Sequence, residues 1–487
     1  MNRSSNPFKY VLLYLPWLAS MLYASNPVIA YLIAWSGSFF IFYLSFTNKI
    51  KNTSAELPLS QKILKPLFLT QIIFAGYMSC SSIFYFLDNL GYIYTTRDIF
   101  KGINLEQIKY IAICQQYYVL GHAALAHGLL LFYKSDNKGS YELADVDWPV
   151  LFTKTAIICL PLSFLFGKVG ALSQFVEQLQ DLSLVAATLG FAIAIPQKKT
   201  NIIVLAGFLY ALNLSKAFLS GFKEPVIVSV LILGIFLFPY YRKVVIVFFI
   251  PLMFFLFTVL PTYVNTMRQL TRDGGAGASV AEKEALAKVQ NGLSGENMKQ
   301  TNWDFLTGRI SEISMFIQFK KSTEASKKSY GLQITKQSLL CIIPRFFWPG
   351  KPIPENIAME RVYENNVIDR GVINSAKPAV IVDGFLSGGA LGVWITLFLY
   401  GAFAQGINNK AEALFGGYFL GSAFVFTGLF RIFWRGNCFE FLFNGVFWSC
   451  ICMYILFAVF KKIGVLYHKS QVEENASVPN TQLLNGY

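Results

Sequence analysis

Apolar stretches about as long as a bilayer is thick recur along the chain and set its organisation. A membrane-spanning helix needs about 20 mostly apolar residues. Twelve windows of roughly this kind lie at about 10–24, 27–46, 66–87, 110–133, 149–167, 177–196, 201–220, 225–240, 244–264, 379–401, 411–430 and 443–460. Between the ninth and the tenth lies a polar segment of more than 100 residues. The pattern predicts an all-α polytopic membrane protein with about 12 transmembrane helices and one large loop.

The composition agrees with this class of protein. Of the 487 residues, 54% are apolar and 14% are charged, whereas soluble domains have about 25% charged residues. The three histidines nearly exclude a multi-histidine metal site, and the seven irregularly spaced cysteines indicate neither a zinc pattern nor a disulfide framework. We therefore expect no metal and no cofactor.

The distribution of basic residues predicts the topology. With the N-terminus inside, the cytoplasmic segments hold sixteen Lys and Arg residues, and the short external segments and span ends hold eight. Cytoplasmic loops carry the excess of positive charge, so we expect both termini in the cytoplasm. The predicted regions are helices 1–9 (1–264), a periplasmic loop (265–378), helices 10–12 (379–462) and a disordered cytoplasmic tail (463–487).

The loop at 265–378 is long enough to have a function of its own. It holds sixteen Lys and Arg against eleven Asp and Glu, a surplus that the topology rule does not explain, because long loops cross the membrane regardless of charge. A capping box at Ser279 and Glu282 predicts one helix. Apolar periodicity predicts two more, near 309–320 and from Leu332 to Ile343, where Pro344 ends the last.

The segment Ile343 to Pro352 is the most unusual stretch of this loop. Its prolines favour an extended backbone from which Arg345, Trp348 and Lys351 project. Arg and Lys bind phosphate oxygens, and a Trp ring stacks on a sugar face, so the segment suits an anionic sugar-linked ligand. The alternative is an interfacial loop, with Trp in the aromatic belt and the cations at lipid headgroups.

Further basic residues cluster near the outer side. Arg268, Arg272 and Arg309 lie in the loop, and Arg431 and Arg435 form an i,i+4 pair. Two cations on one helix face repel each other unless an anion lies between them, which favours a diphosphate or carboxylate ligand; a lipid headgroup fits equally well. Lys216 and Lys223 share a helix face and either contact phosphate or extend to the membrane surface.

Carboxylates in or near the spans are candidate acid–base groups. Asp383 lies just inside the tenth span, where a charge costs about 2.5–3.5 kcal/mol and has a partner or a role. Its alternative is an ion pair with an arginine of the loop. Glu177 and Asp181 share a face at the outer end of the sixth span, and Glu312 lies three residues after Arg309.

At these residues the chain resembles a known family. The Pro-Arg-x-x-Trp-Pro-x-Lys-Pro run at 344–352 resembles one in the outward loop of bacterial O-antigen polymerases, the Wzy-type oligosaccharide repeat-unit polymerases. The glycine run after Asp383 and the segment from Arg431 to Gly436 are similar to two further patterns of that family. Two departures are Ser220-Gly221-Phe222-Lys223, where members often show Gly-Ser-Arg, and Asp383, where they often carry Glu.

The resemblance implies a metal-independent glycosyltransferase of the GT-C type in the bacterial inner membrane. Such enzymes transfer a growing glycan from undecaprenyl diphosphate to the next lipid-linked repeat unit, in the synthesis of O-antigen or a related surface polysaccharide. The implied partners are undecaprenyl-diphosphate-linked oligosaccharide, membrane lipid, a chain-length regulator and a repeat-unit flippase, with no nucleic acid. An O-antigen ligase and a lipid-linked oligosaccharide transporter are the alternatives.

The proposed chemistry assigns roles to the candidate residues. Fixed cations stabilise the charge that develops on a diphosphate leaving group, and a carboxylate accepts the proton of the acceptor hydroxyl. The expected catalytic residues are Asp383, Arg345 and Arg309, with Asp383 the leading general base and Glu312 or Asp181 behind it. The expected substrate-binding residues are Lys351, Trp348, Arg431, Arg435, Arg268, Lys223, Glu312 and Asp181.

Overall fold

The computed structural model is mostly helical. It describes residues 7–53, 62–92, 103–134, 139–219, 223–249, 312–370 and 376–469, with isolated positions between 251 and 307. A 3₁₀ helix at Pro7–Tyr14 leads into the first α-helix. The helices are α1 (Leu15–Leu22), α2 (Pro27–Phe46), α3 (Pro66–Asn89), α4 (Leu105–Phe132), α5 (Trp148–Gly167), α6 (Val176–Ala194), α7 (Thr200–Leu219), α8 (Lys223–Leu237), α9 (Ile313–Ser326), α10 (Gln333–Leu340), α11 (Pro354–Glu364), α12 (Val380–Leu414), α13 (Phe419–Leu429), α14 (Ile432–Arg435) and α15 (Phe439–Lys462).

Within the described residues, six of these helices are long and apolar enough to cross a membrane. They are α2, α3, α5, α12, α15 and residues Thr200–Ala217 of α7. The helices α8 and α13 contain shorter apolar runs, and α3 and α13 contain π-helical turns at Ile72–Cys80 and Phe419–Phe426. The helical, membrane-embedded class is therefore supported, and the count of twelve spans stays a prediction.

The centre of the bundle is α4, which packs between α2 and α12. Its residues Ala123 to Ala126 are completely buried. Two glycines let α4 and α12 approach closely, because a Cβ atom on Gly128 would lie 2.2 Å from the carbonyl oxygen of Phe398, and one on Gly401 would lie 2.4 Å from that of Leu125. Small residues at such crossings are typical of helix packing in membranes.

The helix α12 is broken near its start, where the sequence predicts an ordinary span at 379–401. Gly389 has φ of +59° and ψ of −136°, a conformation that is open essentially to glycine only. Residues 380–387 consequently fold back against the rest of α12, and a Cβ atom on Gly392 would lie 2.1 Å from the carbonyl oxygen of Gly384. The backbone N–H of Tyr330 donates to the carbonyl of Leu386 at 3.0 Å, so the preceding segment holds this short half-helix.

Three helices from the predicted loop cover one end of the bundle. α9 packs on α4, and α10 and α11 pack on α15. The predicted helix near 309–320 is observed at Ile313–Ser326, and the one predicted from Leu332 is observed at Gln333–Leu340. α11 was not predicted; Pro354 begins it, in the first turn where the missing N–H costs nothing. The helix predicted at 279–293 lies outside the fully described ranges.

The opposite end of the bundle is closed by a two-stranded antiparallel sheet. Strands β1 (Tyr141–Leu143) and β2 (Leu466–His468) pair Tyr141 with His468. A buried ion pair at the same end joins Lys65 to Glu412 at 3.2 Å. The C-terminal segment therefore lies at the end away from α9–α11.

Candidate functional site

Arg361 lies at the centre of a buried cluster of charges at the loop-covered end of the bundle. Its Nη1 donates to Oε1 of Glu440, and its Nη2 donates to Oε2 of Glu440 at 2.9 Å and to Oδ2 of Asp383 at 3.1 Å. The backbone N–H of Phe439 donates to the same Asp383 oxygen at 2.9 Å. The three charged side chains are at most 3% exposed. The guanidinium of Arg361, on α11, thus connects this helix to the first turns of α12 and α15.

Local sequence directs each member of this Arg361 cluster inward. Ala358, Met359 and Val362 form the buried face of α11, and Arg361 lies on that face. Asp383 and Glu440 lie in the first turns of α12 and α15. Residues 379 and 437 form an isolated β-bridge that holds these two helix starts together. The cluster is therefore assembled from three elements that are far apart in the sequence.

The charges of the cluster decide which ligand it can take. Burial disfavours the charged guanidinium, but the charges of Asp383 and Glu440 outweigh burial and raise the pKa of Arg361. Ligand atoms of Asp383, Cys438 and Glu440 lie within 4.8 Å of one another, which is close enough to hold a metal ion. The guanidinium already binds both carboxylates, so a metal ion would have to displace it. The donor set fits an ion-pair cluster better than a metal centre.

A polar cavity of about 320 Å³ opens beside Arg361, at the lower end of the about 300–1,000 Å³ of small-molecule sites. It is lined by Tyr330, Gln333, Gln337, Asn356, Ile357, Glu360, Arg361 and Glu364. Among the described residues, the amides of Gln333, Gln337 and Asn356 have no hydrogen-bond partner. Each amide offers both donors and an acceptor, so the cavity suits a neutral ligand rich in hydroxyl groups.

Salt bridges hold the acidic wall of the cavity. Glu364 accepts hydrogen bonds from Nζ of Lys328 at 2.7 Å and from the hydroxyl of Tyr330 at 2.9 Å. Lys328 is the main cause of a lowered pKa of Glu364, and Glu360 pairs with Arg370. Both carboxylates therefore have cationic partners, and the cavity carries little net charge.

Two of the residues predicted from the sequence come together elsewhere in the bundle. Nη2 of Arg431 lies 2.6 Å from Oδ1 of Asp181, and Arg431 is buried. The paired cations Arg431 and Arg435 favour a nearby anion, and Asp181 supplies one to Arg431. For Arg435 only the backbone, at the end of α14, is described.

The proline-rich segment is a compact turn rather than the predicted extended backbone, and its lysine points inward instead of projecting. Nζ of Lys351 donates to the carbonyl oxygens of Cys341 and Ile343, the latter at 2.9 Å, and so binds carbonyls that follow the end of α10. Burial lowers the pKa of this lysine. Arg345 and Trp348 are half-buried, and the described residues offer Arg345 no ion-pair or hydrogen-bond partner. Lys351 thus holds the turn, and Arg345 stays available for a ligand.

Glu312 is a buried carboxyl group outside the predicted spans. It directly precedes α9, and burial raises its pKa to about 7. One helical turn later, the ring of Phe316 lies 5.7 Å from that of Tyr118 and 5.4 Å from that of Phe385. Phe385 lies two residues after Asp383, so Glu312 begins the helix that packs against the half-helix of the Arg361 cluster.

The remaining predicted site residues have no described side chain. Arg268 and Arg309 lie outside the described residues, and for Lys223 the structure describes only the backbone at the start of α8.

The alternative expected for Asp383, an ion pair with an arginine of the loop, is observed with Arg361, but sequence reasoning singled out neither Arg361 nor Glu440. Glu440 had a usable signal, because it is a lone carboxylate in the first turn of an apolar span, where a charge needs a partner. Arg361 had no such signal, because its helix is short and the nearby Glu360 and Glu364 are typical of a surface helix.

Comparison with known proteins yields one match. A family model described as "Domain of unknown function (DUF8712)" matches residues 15–468. No curated protein and no solved structure matches the chain.

Proposed function

The chain belongs to this DUF8712 family, and we propose that it is a membrane-embedded glycosyltransferase that polymerises undecaprenyl-diphosphate-linked oligosaccharide repeat units at the periplasmic face. The observation that carries the proposal is the polar cavity beside Arg361. It lies at one end of an apolar helical bundle, beside free amide groups and a buried cluster of fixed charges. Such a cavity suits a sugar that is presented at a membrane surface.

The arrangement of the ends supports the proposed topology. The helices α9, α10 and α11 all lie where α4, α12 and α15 begin, and the C-terminal strand lies at the other end. This agrees with one periplasmic loop between the ninth and tenth of twelve spans and with a cytoplasmic C-terminus.

Arg345 is the cation that we assign to the diphosphate leaving group. Its half-buried guanidinium has no described ionic partner, whereas Arg361, Arg370 and Arg431 are each paired with a carboxylate. A guanidinium binds two phosphate oxygens at once, and it stabilises the charge that develops when the bond to the diphosphate breaks.

Glu312 is the general base that we assign to the acceptor hydroxyl. A general base is most effective when its pKa lies near the working pH, and burial brings the pKa of Glu312 to about 7. Asp383 is bound by Arg361 and by the N–H of Phe439, so we assign it the role of positioning Arg361. A repeat unit contains several sugars, so the cavity and Glu312 need not contact the same one.

The test is polymerisation by the purified protein in detergent, with lipid-linked repeat units extracted from cells of the source bacterium that lack this protein. Gel ladders are expected from the wild type and no ladder from Glu312→Gln, which keeps the shape of the side chain but cannot accept the proton. The matched control is Glu324→Gln on α9, where the carboxylate only bridges Lys320 and Tyr110 at the surface. The absence of ladders from the wild type would contradict the proposed function. Full ladders from Glu312→Gln would contradict the assignment of Glu312 as the base.

A transporter of lipid-linked oligosaccharide is the second candidate. The break at Gly389 and the buried pair Lys65–Glu412 favour it, because broken helices and buried charges mark the pathways of many transporters. Reconstituted vesicles separate the two functions. A transporter moves the lipid-linked oligosaccharide across the bilayer without lengthening it, and a polymerase lengthens it.

A further inference from the structure

We propose that the turn after α10 inserts into the outer leaflet of the bilayer as a lipid anchor. The anchor patch consists of five large apolar side chains, Leu339, Leu340, Phe346, Phe347 and Ile353. All are exposed, and the two phenylalanines are 71% and 76% exposed. The inference concerns the contact of this turn with lipid and does not depend on the proposed glycosyltransferase activity.

The patch is built on a defined turn. Nζ of Lys351 holds the carbonyls of Cys341 and Ile343, and the backbone N–H groups of Phe347 and Trp348 both donate to the carbonyl of Pro344 at 3.1 Å. The rings of Phe346 and Phe347 meet edge to face at 5.2 Å. The backbone is thus locked by its own hydrogen bonds while the apolar rings point outward.

The position of the patch matches the level of a membrane surface. α10, which carries its first two residues, packs on α15, an apolar helix long enough to span a bilayer. The pairing of Arg361 with Glu440, in the first turn of α15, fixes α11 at the outer end of that span. α15 also exposes apolar side chains such as Ile455 to its surroundings. The helix that carries the patch therefore packs on an apolar helix that itself exposes apolar side chains.

The charge of the surrounding segment identifies the lipid class. Residues 325–354 contain no Asp or Glu and five basic residues. Lys351 is buried and Lys328 pairs with Glu364, but Lys327 and Lys336 are exposed and Arg345 is half-buried. Apolar side chains that enter the acyl region beside basic residues are typical of binding to anionic lipid surfaces. The occupant that fits is an anionic phospholipid of the outer leaflet. A protein partner would bury the same rings, but this run of positive charge suits headgroup phosphates.

Photo-crosslinking tests the assignment. The full-length protein is prepared with p-benzoylphenylalanine in place of Phe347 and reconstituted in phosphatidylglycerol vesicles or in phosphatidylcholine vesicles. After illumination, mass spectrometry is expected to find an added mass of one phospholipid, more often with phosphatidylglycerol. The same photoreactive residue at Glu360, an exposed position on α11 beside the cavity, is expected to give no lipid adduct. Placed at Ile455 on α15, it is the positive control.

Three results would overturn the lipid anchor itself, and a fourth would overturn the choice of anionic lipid. One is lipid adducts at Ile455 but none at Phe347. Another is adducts of equal yield at Phe347 and Glu360, which would mean that the lipid contact is not specific to the patch. The third is crosslinking of Phe347 to a second copy of the chain, which would identify the patch as a protein interface. Equal yields of lipid adducts at position 347 in the two vesicle types would overturn the assignment to anionic lipid.

Discussion

Replacing Arg361 with methionine is expected to be one of the most damaging single substitutions at the loop-covered end of the bundle. Methionine keeps much of the apolar stem and removes the guanidinium, which leaves Asp383 and Glu440 without their cation. Both carboxylates are completely buried. Removing one partner of a buried ion pair costs about 3–5 kcal/mol. The unfolding equilibrium should therefore shift by roughly two to four powers of ten, at about 1.4 kcal/mol for each.

The measurement is equilibrium unfolding of the purified protein in mild detergent by titration with sodium dodecyl sulfate, followed by tryptophan fluorescence. The matched control is Arg370→Met, which breaks the pair with Glu360, whose carboxylate belongs to the same helix as Arg361. Those two side chains are 66% and 48% exposed, so water solvates each of them already. Its free energy of unfolding should stay close to that of the wild type.

A rescue variant separates lost pairing from general damage. Combining Arg361→Met with Asp383→Asn and Glu440→Gln removes the two unpaired charges and should recover most of the lost free energy of unfolding, because a buried cluster replaced by neutral groups is often tolerated. The reasoning would be refuted if Arg361→Met were no more destabilising than Arg370→Met. It would also be refuted if the triple variant were less stable than the single one.

Two further predictions concern helix packing and pH. Gly401→Ala should lower the free energy of unfolding by about 1–3 kcal/mol, because the added Cβ would lie 2.4 Å from the carbonyl oxygen of Leu125. The control is Gly406→Ala in the same helix, where a Cβ would meet no atom within 4 Å. In the same detergent titration this variant should be as stable as the wild type or more stable. The rate of glycan transfer should rise with pH through about 7, because Glu312 loses its proton there and becomes a base. An Asp383→Asn variant should show the same dependence on pH. A wild-type rate that does not change between about pH 5.5 and about 8.5 would exclude Glu312 as the base.

Asp383 and Arg431 show how much the residue types alone can predict. A carboxylate just inside a span and a buried arginine each demand a partner, so the sequence marks Asp383 and Arg431 as residues with a role or an ion pair. It cannot name the partner, because Asp383 and Arg361 are 22 residues apart, and Arg431 and Asp181 come from helices that are distant in the chain. The pairing follows from which helix ends share one level of the bundle, and packing determines that.

The proline-rich segment shows that the sequence does not specify the directions of side chains in a turn. Its prolines predict an extended backbone from which Lys351 projects. A compact turn is observed instead, in which Lys351 points back to the carbonyls after α10 while Phe346 and Phe347 point outward. Sequence spacing does not specify these directions, because a turn without helical or strand periodicity gives its side chains no common face. The direction of each side chain depends on the end of α10 and on the packing of α10 against α15.

By itself, the sequence determined that this is a helical membrane protein, where most of its helices lie and which polar residues among them are costly. Those properties follow from length, apolar content and local periodicity, which act over one or two helical turns. Only the tertiary structure decided that α12 folds back at Gly389, that Arg361 and Glu440 complete the cluster of Asp383, and that a polar cavity opens beside it. These features come from contacts between segments that the chain separates widely, and such contacts are set by the packing of whole helices.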